Sequence, residues 1–71
     1  MSIETIHIYL LNEGVDVWRP VAAKHLGNHL YQIIDPTASD EAWQFNQGDT
    51  VRCELRRLSG GDCMVAIEKS K

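Results

Sequence analysis

The apolar runs of this sequence, such as Ile8 to Leu11, are far shorter than the ~18 residues a membrane-spanning helix requires. Met1-Ser2-Ile3-Glu4 has no basic segment followed by an apolar stretch and a small-residue cleavage site, so no secretory leader is read and a cytoplasmic protein is expected. Cysteine is scarce: Cys53 and Cys63 stand alone, without the dense framework that staples small secreted domains. A helical period is absent, as are internal repeats and low-complexity stretches. Missing too are a nucleophile elbow, a glycine-rich phosphate loop opening a helix, and a carboxylate pair in an apolar setting. These absences argue against an enzyme and against any bound cofactor.

What is present is a folding composition. Hydrophobic residues make up 44% of 71, enough for one globular domain and too many for a disordered chain. A domain of this length buries only roughly 60% of its unfolded surface, which leaves a thin stability margin and little room for a large pocket. The formal net charge of −3 is unevenly spread. Residues 1–35 carry two cations and four anions, 36–49 three anions, and 50–71 five cations and three anions. A net acidic chain is a poor general binder of the phosphate backbone, so any nucleic-acid role rests on the last third.

Alternation supplies the fold. Ile6, Ile8 and Leu10 against Thr5, His7 and Tyr9 read as a strand, and Asn12-Glu13-Gly14 as the reversal after it. Val15 to Ala23 resumes the pattern, with Pro20 marking an edge or bulged strand because it cannot donate to a ladder. Gly27-Asn28 predicts a hairpin into His29–Ile34. The irregular stretch from Asp35 to Glu41 is expected to hold at most one short helical turn around residues 36–42. Trp43 and Phe45, two apart, are expected in the core. Val51, Cys53 and Leu55 alternate with Arg52, Glu54 and Arg56, and Ser59-Gly60-Gly61-Asp62 turns the chain into Cys63–Glu68. The predicted fold is all-β: one domain, a small five-stranded antiparallel barrel.

Placing Cys53, Leu55, Cys63 and Val65 on one core face requires paired residue numbers in the last hairpin to sum to an even value, 120 or 122. The two thiols are then offset by roughly 13–20 Å along the ladder, beyond the ~7 Å between Cα atoms that a disulfide tolerates. Both cysteines are expected to be reduced and to pack as small apolar side chains.

Phe45-Asn46-Gln47-Gly48-Asp49-Thr50-Val51 resembles the F-x-x-G-D-x-V approach to a strand found in many small barrels, including Src-homology-three-like ones. Val15-Asp16-Val17-Trp18-Arg19-Pro20-Val21, with Tyr31-Gln32-Ile33, Trp43-Gln44-Phe45 and Val51-Arg52-Cys53, is similar to a set of short uncharacterised bacterial proteins. That resemblance implies a bacterial, intracellular, single-domain protein and brings no activity or site residue with it.

Three functional readings are weighed. The leading one is a non-catalytic protein-interaction module whose contact surface is Trp18, Arg19 and Pro20, since an exposed Trp beside an Arg has the composition of an interface hot spot; the bland alternative has Trp18 as a lid over the core. The second is a single-stranded RNA surface on Arg52, Arg56 and Arg57, with Glu54 between them as an internal neutraliser and with Tyr9, Trp18 and Tyr31 as the nearest stacking rings. The third, a metal protein or minor enzyme on His7, His25 and His29 with the cysteines, lacks any recurrent ligand spacing, and no metal is expected. The short edge strand around Pro20 predicts a monomer or weak homodimer that does not pair through residues 15–21.

Overall fold

A computed structural model describes residues 2–58 and 61–70. Among these, five strands form a closed barrel in chain order: β1 Ile3–Tyr9, β2 Trp18–Gly27, β3 Leu30–Ile33, β4 Thr50–Leu58 and β5 Gly61–Lys69. No helical turn interrupts residues 36–42. Consecutive strands pair antiparallel, but the closing pair, His7 opposite Val65, is parallel. That corrects the all-antiparallel expectation, and the reason is parity. In an up-and-down meander of five strands the first and last run the same way, so closure must join them in parallel.

The core takes Ile6 and Ile8 from β1 and Leu10 from the bridge to Trp43 just after it, Val21 and Ala23 from β2, Tyr31 and Ile33 from β3, Val51 and Cys53 from β4, and Ala66 from β5. Trp43 and Phe45 complete it from the long connection between β3 and β4, as their spacing predicts. That connection is tied across the barrel end: the Leu11 amide donates to Ala42 O at 2.7 Å and the Gln44 amide to Tyr9 O at 3.0 Å. Its last turn is held by Asp49, whose Oδ2 accepts the Asn46 amide at 2.9 Å, with Gly48 at φ +89°.

Three local expectations are corrected. β2 begins at Trp18 rather than Val15, because the reversal spreads from Asn12 (φ +64°) to Gly14 (φ +78°). The next turn is centred on Asn28 (φ +54°) and His29 (φ +66°), one residue later than predicted, between the paired Gly27 and Leu30. Two successive positive φ values make it a type I′ hairpin turn.

The third correction concerns the last hairpin. Arg52 pairs with Glu68, a sum of 120, but Cys53 pairs with Ala66, a sum of 119, and that odd register runs on to Leu58 opposite Gly61. Ile67 is the extra residue of a β-bulge, and it flips the face of every β5 side chain before it. Ala66 and Met64 therefore share the inner face with Cys53. Cys63 instead lies opposite Arg56 on the other face, only half-buried, and Val65 is buried on that face opposite His7. Leu55 has the inward parity yet is 65% exposed, because β3 pairs with β4 no further than Arg52, and the hairpin runs past the barrel with nothing above it. Both cysteines are free, as expected, although on opposite faces of the sheet rather than on one. The Ser59-Gly60 part of the predicted turn lies outside the described residues.

Candidate interaction groove

The β1–β2 hairpin sets Tyr9 opposite Trp18, with ring centroids 5.3 Å apart and planes at 69°. Such an edge-to-face pair is worth ~0.5–1.5 kcal/mol beyond its buried area and fixes both rings. Asp16, in the loop just before β2, accepts the Tyr9 hydroxyl at 3.0 Å. This bond to a carboxylate raises the phenol's pKa, because the neutral hydroxyl is the form that donates. Around the two rings, Asp16, Gln44, Arg56 and Ile67 line an open groove of about 400 Å³. Trp18 and Arg56, assigned from sequence to two rival surfaces, thus lie in one depression. Sequence reasoning passed over Tyr9, Asp16 and Gln44 as partners of Trp18; the signal available was the hairpin itself, which must bring the last outward residue of β1 against the first of β2.

Arg19 and Pro20 do not join that groove. Arg19 reaches away to Glu41 at 3.4 Å, with its guanidinium 5.9 Å from the centre of the Trp43 ring, at the outer limit of a cation–π contact. The same Glu41 accepts the Trp43 indole N–H at 2.9 Å. Pro20 is exposed opposite His7. The Leu10 amide donates to Val17 O at 2.9 Å, so alternation makes His7–Pro20 a non-hydrogen-bonded pair whose absent donor faces away from β1. By the same alternation the Ala22 amide faces that outer edge, where Asp35 Oδ2 accepts it at 2.8 Å while the Ile34 amide donates to Ala22 O at 3.0 Å. The edge expected from Pro20 is thus capped at Ala22 and has no donor at Pro20.

The arginines of the β4–β5 hairpin each lie against a carboxylate, although Arg57 is 86% exposed. Arg52 donates to Glu68 at 2.8 Å and to Glu54 at 3.3 Å, Arg56 to Glu54 at 3.1 Å, and Arg57 lies 3.5 Å from Asp62. The bond from Arg56 is the largest influence holding the Glu54 carboxyl below its ordinary pKa, and the bond to Glu68 raises that of Arg52. Tyr31 is a core side chain, 4% exposed and stacked on His25 at 4.6 Å, so it is not an RNA platform. Among the described residues, no three His, Cys, Asp or Glu side chains gather as a metal site, and His7, His25 and His29 stay apart in role. His25 Nδ1 lies 3.2 Å from Glu4, and His7 Nδ1 is buried without a partner. Cys53 is buried, which pushes its thiol up to about 12 and leaves it a poor nucleophile. Comparison with family models, characterised proteins and solved structures finds no match for this chain.

Proposed function

We propose that the protein is a non-catalytic interaction module that takes an extended segment of a partner protein along the groove walled by Tyr9 and Trp18. One observation carries this reading: Trp18 and Arg56 line the same open depression, so an apolar aromatic wall and a charged end face one occupant. Rigid aromatic rings beside an arginine are what a protein contact uses for binding energy. The RNA reading loses ground to the ion pairs, since a phosphate backbone would compete with Glu54 and Glu68 for Arg52 and Arg56, leaving only Arg57 open. The capped edge beside Pro20 supports a monomer or weak dimer. The Asn46–Asp49 turn leading into β4 supports kinship with Src-homology-three-like barrels.

The test is affinity capture with the immobilised protein, run beside Trp18→Ala and an Arg19→Ala, Pro20→Ala double variant. The expected result is a partner lost with Trp18→Ala and kept by the double variant. Salt-sensitive retention of single-stranded RNA by the wild-type protein, in place of any protein partner, overturns the reading.

A further inference from the structure

The β4–β5 hairpin runs past the turn between β2 and β3, and a cavity of about 430 Å³ opens there. His29, Cys53 and Met64 are among its lining residues. The ladder accounts for their meeting. The Cys53 amide donates to His29 O at 2.9 Å, which brings the turn alongside β4. With Ala66 opposite Cys53 and Met64 opposite Leu55, Met64 is the diagonal neighbour of Cys53 on the same face. Such neighbours lie ~7–8 Å apart at the backbone, within reach of a long, unbranched methionine.

We propose that His29 nitrogen, Cys53 Sγ and Met64 Sδ form a binding site for a soft monovalent metal ion of the copper(I) class. Thiolate and thioether select soft ions, and an imidazole completes a three-coordinate set. Zinc and harder cations do not suit the set, because a thioether is a poor ligand for them and only one imidazole and one thiol are available. The other polar groups of the cavity, Arg52 and Glu54, are bonded to each other at 3.3 Å.

His29 is also conformationally unusual. Its φ of +66° occupies the second central position of the type I′ turn, where glycine is the usual residue and a β-carbon is strained. Binding forms a metal–sulfur bond and releases the Cys53 thiol proton to solvent, with no change in oxidation state.

The experiment titrates the full chain with copper(I) buffered by the chelator bathocuproine disulfonate, under reducing anaerobic conditions. The expected result is about one ion per chain, with X-ray absorption reporting both nitrogen and sulfur scatterers. Cys53→Ser, Met64→Leu and His29→Asn, the last chosen because Asn tolerates the turn geometry, should each weaken binding ~tenfold or more. Cys63→Ser, on the opposite face, should not change it. Thermal melts of each variant establish that it folds. The proposal is overturned if the chelator keeps all the copper. It is equally overturned if folded Met64→Leu and His29→Asn bind as tightly as wild type, which would leave a lone thiol as the ligand.

Discussion

Asp35 holds the outer edge of β2 with one hydrogen bond, which makes Asp35→Ala an informative perturbation. The Ala22 amide points away from β1 and, in the native fold, donates to Asp35 Oδ2 at 2.8 Å in a partly buried position. Truncation removes the acceptor and leaves a donor with restricted access to water, at a cost of ~1–3 kcal/mol. A domain of this size has only about 4–10 kcal/mol in total, so roughly a tenth to three quarters of the stability is at stake, equivalent to a fall in Tm of roughly 5–20 °C. Asp35→Asn keeps an acceptor oxygen at the same place and should recover most of the loss. Urea unfolding followed by tryptophan fluorescence, with Trp43 in the core and Trp18 on the flank, reads both variants. A loss below ~0.3 kcal/mol in Asp35→Ala, or an equal loss in Asp35→Asn, would refute the argument that the acceptor stabilises this edge.

His29→Gly should raise stability by about 1 kcal/mol, since glycine adopts the positive φ of that turn without strain; urea midpoints check it. Leu55→Ser should change stability by less than ~0.5 kcal/mol, because Leu55 is mostly exposed on the overhanging hairpin, whereas Val51→Ala in the barrel should cost ~2 kcal/mol. Cys53 adds a pH dependence of definite sign. Its folded pKa, about 12, lies above the unfolded value, so its contribution is fully present below about pH 8.5 and is lost as pH rises towards 12. Alkaline unfolding curves should flatten in Cys53→Ala, and in the native protein at pH 8 a thiol reagent should label the half-buried Cys63 well before Cys53. Glu54→Gln releases Arg52 and Arg56 from a shared partner and should increase salt-sensitive binding to single-stranded RNA in a filter assay.

Strand identity and core membership could be read from alternation where each strand has a neighbour on both sides. Ile6, Ile8, Leu10, Val21, Val51 and Cys53 lie inside for that reason, and the paired spacing of Trp43 and Phe45 placed the connection between β3 and β4 under the barrel. Face assignment in β5 failed because alternation carries no mark of a bulge: one extra residue at Ile67 exchanges Cys63 and Val65 for Met64 and Ala66 on the inner face. Leu55 was misplaced for a different reason, since its burial depends on where β3 ends rather than on its own strand. The groove was invisible in one dimension because Tyr9, Asp16, Gln44, Arg56 and Ile67 come from five separate places in the chain. The His29, Cys53 and Met64 set was hidden too, since a search for ligand spacings among His and Cys gives no weight to methionine.

The most direct test of the groove as the interaction surface is site-specific photo-crosslinking from position 44 in cells of the native host. Gln44 lines the depression together with Tyr9 and Arg56, so a photoreactive side chain there lies beside whatever occupies it. The predicted result is a discrete protein adduct from position 44 that disappears when Trp18 is changed to Ala and is absent from a probe at the distant, exposed Lys24. Adducts of equal yield from both positions, or an adduct from position 44 that survives Trp18→Ala, would contradict the account.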